Sequence, residues 1–127
     1  MQASVIYTLP ETVSSRRVEL SAECSEWLFA IRFWNNLNFK LGTLFDQYEE
    51  ESVDVEALPC VLSLLRRVIA HLRAGEGSEI EFVRGWDVNG NPLEVRINRE
   101  ALIEELGSLD ALIDYAIREA KGMEFEL

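Results

Sequence analysis

The sequence has few of the residues from which recognisable catalytic and metal-binding motifs are built. It contains one histidine, His71, and two cysteines, Cys24 and Cys60, which lack the Cys-x-x-Cys spacing of metal and redox sites. It contains no Gly-x-Ser-x-Gly, P-loop or Gly-x-Gly-x-x-Gly motif. We therefore expect no cofactor and no catalytic residue, and we expect both cysteines to be small buried hydrophobic side chains in helices.

Long apolar runs are also absent. No stretch approaches the roughly 18 consecutive apolar residues that a membrane-spanning helix needs. The residues that follow Met1 do not form a basic region and an apolar leader. We therefore expect a cytoplasmic protein that does not enter a membrane.

Basic side chains are scarce. The chain has 23 Asp and Glu against 12 Lys and Arg, a formal charge of -11, and the only lysines are Lys40 and Lys121. A field of this sign repels phosphate backbones, which argues against nucleic-acid binding. The excess charge either keeps the protein soluble or forms an acidic face that docks on a basic protein partner.

The segment from Ser21 to Glu51 is rich in apolar residues. Their three- and four-residue spacing predicts one long helix, with Ser21 as its N-cap. Apolar residues occupy two sides of this helix, whereas a surface helix needs only one apolar stripe. The rest of the fold or a second copy of the chain must therefore cover it on most sides. Gly42 is a point at which it could kink or divide.

The second apolar side of the predicted helix contains Phe29, Phe33 and Leu37. One small sheet cannot cover both sides, and an uncovered patch of this kind would exceed what soluble monomers usually tolerate. Twofold association is the commonest remedy. We therefore expect a homodimer whose interface includes Phe29, Phe33 and Leu37.

Strand and helix patterns alternate through the rest of the chain. Before the long helix we predict a strand at Ser4–Leu9 and a loop or short strand at Arg17–Leu20. After it we predict a helix that has Pro59 in its first turn and stops at Gly75, followed by a hairpin within Ile80–Ile97. The C-terminal part is predicted to form helices at Arg99–Leu106 and Leu109–Lys121, which Gly107-Ser108 separates and Gly122 ends, and a last strand at Met123–Leu127. The order β-α-α-β-β-α-α-β predicts one α+β domain over residues 1–127. Its small, mostly antiparallel sheet would contain the N-terminal strand, the hairpin and the C-terminal strand, packed on the long helix.

The hairpin has the clearest local signal. Asn89-Gly90 lies between two runs in which apolar and polar residues alternate. A two-residue turn at this dipeptide pairs Trp86 with Leu93 and Phe82 with Ile97. These side chains would then share the covered face of the sheet.

An acidic connector, residues 46–56, carries six carboxylates and no base. On a helix, Asp46, Glu49 and Glu50 would share a face and could hold a hard cation such as Mg²⁺. All-helical pyrophosphohydrolases use carboxylates spaced in this way, but here the hairpin interrupts the helices. We therefore expect no metal site. The simpler interpretation is a solvated surface that binds a partner through Glu49, Glu50, Glu51 and Asp54.

Three functions are compatible with these features. We favour a non-catalytic, acidic protein-binding module of the inhibitor or immunity type, because the charge is strongly negative and no catalytic motif is present. One alternative is a Mg²⁺-dependent hydrolase of a phosphorylated small molecule that uses the connector carboxylates. The other is an oligomeric structural or adaptor protein that associates through the long helix.

Overall fold

The computed structural model describes all residues of the chain, from Met1 to Leu127. The elements are, in chain order, β1 Ser4–Thr8, β2 Arg17–Leu20, α1 Ala22–Ala30, α2 Phe33–Leu41, β3 Glu50–Val53, α3 Leu58–Ala74, β4 Glu79–Trp86, β5 Pro92–Asn98, α4 Arg99–Arg118 and β6 Met123–Glu126. The predicted α+β class is confirmed, and the order of elements follows the predicted one in outline. The segment predicted as a loop or short strand at Arg17–Leu20 is the strand β2, the strand β3 is added, and one C-terminal helix replaces two.

Four strands form the main sheet, in the order β2-β1-β6-β3, and every neighbouring pair is antiparallel. Successive side chains of a strand point to opposite sides of a sheet. One side of this sheet faces the core: Ile6 of β1 lies opposite Phe125 of β6, and both are fully buried. The other side is polar and faces solvent.

The prediction of one helix from Ser21 to Glu51 is wrong. α1 ends at Ala30 and α2 begins at Phe33, and Arg32 between them adopts a left-handed backbone with a φ of 62°. α2 ends at the left-handed Gly42, and Glu51 lies in β3. The apolar pattern is therefore divided between two short helices and a loop. Many residues that would occupy two sides of one helix point instead into one core, whereas Ile31, Leu44 and Tyr48 are exposed.

The break between α1 and α2 brings an aromatic cluster into the interior. Trp34 is fully buried, and the ring centroids of Phe33, Phe45 and Phe125 lie 4.9, 4.9 and 5.7 Å from its own. Edge-on and tilted ring pairs of this kind add to the free energy gained by burial. The indole N–H of Trp34 is the one buried side-chain polar group without a hydrogen-bond partner.

The same packing removes the basis of the predicted dimer interface. Phe33 and Leu37 are 1% and 0% exposed within a single chain, and Phe29 is partly buried against the core. The prediction assumed that these side chains are uncovered in a monomer, and for Phe33 and Leu37 this assumption is wrong. The homodimer itself stays a prediction, and it would need a different surface.

The hairpin forms at the predicted place, but β4 and β5 make a separate two-stranded sheet. The predicted pairs were Trp86–Leu93 and Phe82–Ile97, and the observed pairs are Trp86–Pro92 and Phe82–Val95. The predicted register is therefore wrong by two residues at Phe82 and by one at Trp86, and the pairing is irregular between these two positions.

A longer turn causes this difference. The Asp87 carboxylate accepts hydrogen bonds from the backbone N–H groups of Asn89 and Asn91, at 2.8 and 2.9 Å, and these bonds lower the pKa of Asp87. The turn therefore extends beyond Asn89-Gly90. The base of the hairpin packs on α1 and α4, whereas its tip projects, and Trp86 is 68% exposed.

Helix α4 continues through Gly107, where the sequence predicted an interruption. Glycine in a helix interior costs only about 1 kcal/mol relative to alanine, which packing of a long helix can offset. The predicted N-cap, Asn98, is confirmed. The chain leaves the helix through Ala120, which has a φ of 53°, rather than at Gly122. Gly122 instead approaches the backbone of Val53 so closely that a Cβ would lie 3.0 Å from its carbonyl oxygen.

Local signals placed the other helix starts correctly. Pro59 lies in the first turn of α3, as predicted. Ser21 caps α1 by accepting a hydrogen bond from the N–H of Cys24, which is fully buried. The backbone N–H and hydroxyl of Ser21 both donate to Glu105 of α4, so this cap also joins two helices. None of the helices combines the length and apolar character that a bilayer crossing requires.

Candidate functional site: an acidic sheet face

The solvent-facing side of the main sheet is acidic. The strand register places two rows of side chains across it. The first row, from β2 to β3, is Glu19, Val5, Glu126 and Glu50, and the second is Arg17, Tyr7, Glu124 and Ser52. We call these eight residues the acidic sheet face. It carries four carboxylates and one base.

The four carboxylates lie close together. Neighbouring strands are about 4.8 Å apart, and the two rows are about 7 Å apart because residues on one side alternate along a strand. Glu19, Glu50, Glu124 and Glu126 therefore lie within roughly 15 Å of one another. Glu19 and Glu50 are exposed, whereas Glu124 and Glu126 are half-buried. None of them takes part in the ion pairs of the structure.

The face contains uncompensated charge. Glu50 and Glu126 lie directly opposite each other on β3 and β6, and like charges in this position are destabilising. Glu124 and Glu126 each accept one hydrogen bond, from the hydroxyls of Ser52 and Tyr7, but neither has a cationic partner. A cationic group from another molecule would relieve the repulsion between Glu50 and Glu126.

Tyr7 lies in the middle of the face. Its hydroxyl donates a hydrogen bond to Glu126 Oε1 at 3.1 Å. Partial burial in the sheet, followed by this hydrogen bond and the nearby negative charges, raises the pKa of Tyr7 to about 12. Tyr7 is therefore a neutral hydrogen-bond donor at physiological pH, and it holds one of the carboxylates in place.

The predicted partner-binding residues lie in and beside β3, the edge strand of this sheet. Glu49, Glu50 and Asp54 are exposed, and Glu50 belongs to the acidic sheet face. Glu51 is half-buried and lies opposite Phe125, so it is on the core side of the sheet. Glu50 thus belongs to the acidic sheet face, Glu49 and Asp54 lie next to the ends of β3, and Glu51 lies on the opposite side of the sheet.

The metal alternative required Asp46, Glu49 and Glu50 to share a helix face. That geometry is absent, because Asp46 and Glu49 lie in a loop and Glu50 begins β3. No group of three or more His, Cys, Asp or Glu side chains is placed to hold a metal ion. His71, the only histidine, is exposed near the end of α3.

Sequence analysis missed Glu19, Glu124 and Glu126 as members of a site. Glu124 and Glu126 alternate with apolar residues in the predicted last strand, and this alternation could have placed them on its solvent side. No local signal shows that β6 lies between β1 and β3, which is what brings Glu126 beside Glu50. The face therefore depends on long-range strand pairing.

Three of the five acidic residues of α4 have structural contacts instead. Asp110 pairs with Arg66 of α3 at 3.0 Å, and Asp114 pairs with Arg118 at 3.0 Å. Glu105 binds the N-cap of α1. These carboxylates hold helices together, so they differ from the unpaired carboxylates of the acidic sheet face.

Comparison of the chain with protein-family models, with curated proteins and with solved structures gives no match. The function must therefore be argued from the geometry and charge of the chain itself.

Proposed function

We propose that this protein is a non-catalytic binding module that docks a basic protein partner on its acidic sheet face. The observation that carries the proposal is the strand register. It gathers carboxylates from β2, β3 and β6 on one side of the sheet and leaves them without ion-pair partners. The Asp46, Glu49 and Glu50 side chains of the hydrolase alternative do not share a helix face, and the long helix of the adaptor alternative is divided in two.

The composition of the face fits a protein interface. Arg and Lys of a partner can pair with the glutamates, and Arg can do so through two parallel hydrogen bonds. Val5 and Tyr7 lie between the charged residues and offer apolar and aromatic contact at the centre, where binding energy is usually concentrated. The formal charge of -11 would speed the approach of a basic partner.

An inhibitor or immunity-type role follows from the kind of partner that this charge favours. Proteins that cut or bind nucleic acids hold the phosphate backbone with Lys and Arg side chains. A rigid array of carboxylates competes for the same side chains. The proposed partner is therefore a protein with a basic nucleic-acid-binding surface, which this module would cover.

The test compares two variants of equal net charge. The first neutralises the face with Glu19→Gln, Glu50→Gln, Glu124→Gln and Glu126→Gln. The control neutralises exposed acids elsewhere with Glu76→Gln, Glu79→Gln, Glu94→Gln and Glu119→Gln. The probe is a fluorescent peptide rich in Arg and Lys, and its affinity is measured by anisotropy at low and at physiological salt.

We expect the face variant to bind the probe at least about tenfold more weakly than the control, since several charge-assisted hydrogen bonds are lost. The affinity of the wild-type protein should fall as salt rises. If the control variant loses as much affinity as the face variant, binding depends on net charge alone and the proposed site is wrong.

A further inference from the structure

Helix α3 differs in charge from the rest of the chain. Its residues include Arg66, Arg67, His71 and Arg73 and no acidic side chain. In a protein of formal charge -11, this helix therefore forms a local basic surface. Asp110 and Asp114 of α4 offset the charge of Arg66, whereas Arg67 and Arg73 have no ion pair, and salt screens acidic residues beyond about 8–10 Å.

A groove runs between this basic helix and α4. It consists of two adjoining cavities of about 580 and 480 Å³, which share Arg66 and Ala70. The larger cavity adds Leu62, Ile117, Arg67 and Asp114 to its lining, and the smaller adds Arg73 and Asp110. Volumes of this order are large enough for a small molecule. The end at Leu62 and Ile117 is the more apolar one, and the end at Arg73 carries two arginines against the single carboxylate of Asp110.

Arg66 is held in a fixed orientation at the junction of the two cavities. Its Nε and Nη2 atoms donate to the two oxygens of Asp110 at 3.0 and 3.2 Å, and Asp114 lies 3.8 Å away. These contacts use one edge of the guanidinium group and leave the N–H groups of Nη1 without a protein acceptor. An oriented arginine loses little further side-chain entropy when it binds an oxyanion.

Arg73 supplies a second cation to the smaller cavity. It lies seven residues after Arg66, which is two turns along the same side of the helix. Its side chain has no ion pair and no hydrogen bond in the structure. Both arginines line the same cavity, so a single anion can lie between them.

Gly107 lines the same cavity from the side of α4. Glycine in the middle of a helix is unfavourable compared with alanine. No close packing requires it here, because a Cβ at this position would meet no atom within 4 Å. The glycine therefore keeps open the space beside Arg66 and Arg73.

We propose that the groove between α3 and α4 binds a small phosphate monoester. The phosphate lies between Arg66 and Arg73, in the space beside Gly107, and the organic group extends over Ala70 toward Leu62 and Ile117. A phosphate dianion suits this end of the groove, because Arg73 can donate paired hydrogen bonds to its oxygens and Arg66 can donate from Nη1. The site is separate from the acidic sheet face and does not depend on its function.

The experiment is a titration of the ¹⁵N-labelled full chain with phenyl phosphate, followed by NMR. We expect saturable shifts of backbone amides in α3 and α4, with a Kd of about 1 mM or tighter, as for a small ligand with few contacts. Inorganic phosphate should shift the same amides but bind about tenfold more weakly, because it lacks the apolar group.

Two variants and a control locate the site. Arg73→Gln should weaken binding of phenyl phosphate by about tenfold or more, since charge-assisted bonds are lost. Gly107→Leu should block the cavity and leave the thermal unfolding midpoint at or above that of the wild type. Arg84→Gln removes one exposed arginine from the hairpin and should leave the affinity unchanged.

Absence of saturable shifts in α3 and α4 would overturn the proposal. Binding that persists unchanged in both Arg73→Gln and Gly107→Leu would overturn it as well. Equal affinity for inorganic phosphate and phenyl phosphate would refute the assignment of the apolar end to an organic group. Since none of these variants alters the acidic sheet face, these results are independent of those with the basic peptide.

Discussion

Trp34 and Trp86 are the same residue type in opposite environments. Trp34 is fully buried among aromatic rings, whereas Trp86 is 68% exposed at the projecting end of the hairpin. Both occur in apolar patterns, and alternation along β4 predicted that Trp86 would be covered. The turn at Asp87 and the irregular pairing of β4 with β5 place it outside instead. At the residue scale, an apolar pattern indicates on which side of a helix or strand a side chain lies. It does not indicate whether another element of the fold covers that side.

The two tryptophans provide a matched pair of substitutions. Trp34→Ala should lower the free energy of unfolding by about 3–5 kcal/mol, because it leaves a cavity in the core. Trp86→Ala should change it by less than about 0.5 kcal/mol, as is usual for exposed positions. Urea unfolding of both variants measures the difference. A large loss of stability in Trp86→Ala would show that the tip of the hairpin is packed in solution.

At the scale of elements, capping residues and proline predicted where helices start, but the helix boundary inside the apolar segment was not predicted. The caps at Ser21 and Asn98 and the start of α3 at Pro59 each depend on one residue and its neighbours, and all three are confirmed. The break between α1 and α2 has no such signal. It occurs at Arg32, where neither glycine nor proline marks it, and Phe33, directly after the turn, is buried in the core.

Arg32 gives a direct test of this break. Its left-handed backbone is unfavourable for a residue with a Cβ, so Arg32→Gly should stabilise the protein by about 0.5–1 kcal/mol after the entropy loss of glycine is included. Arg32→Ala keeps the strain and should change stability little. In one continuous helix, Arg32→Gly would instead lower stability by about 1 kcal/mol. The sign of the shift in the urea midpoint distinguishes the two structures.

At the scale of the whole molecule, the sequence determines the amount of charge and the fold determines its distribution. The excess of acidic residues was evident from composition, and Glu50 was among the predicted partner contacts. The pairing of β6 with both β1 and β3 then concentrates carboxylates on one side of the sheet, while α3 gathers arginines elsewhere. The concentration on the sheet could not be predicted, because it depends on strands that are distant in the chain, whereas the arginines of α3 are neighbours in the sequence.

The acidic sheet face should reduce the stability of the protein that carries it. Glu50 lies opposite Glu126, so Glu50→Gln should raise the free energy of unfolding by about 0.2–1 kcal/mol at low salt. Glu94→Gln removes the same charge from β5, where Glu94 lies opposite Val83, and should have a smaller effect. The difference between the two variants should disappear near 1 M salt, where the screening length falls to about 3 Å. Equal effects of both substitutions at low salt would show that only the net charge matters. If only Glu50→Gln raises the free energy of unfolding, and the same variant binds the basic peptide more weakly, then the charge of Glu50 lowers the stability of the free protein and contributes to binding a basic partner.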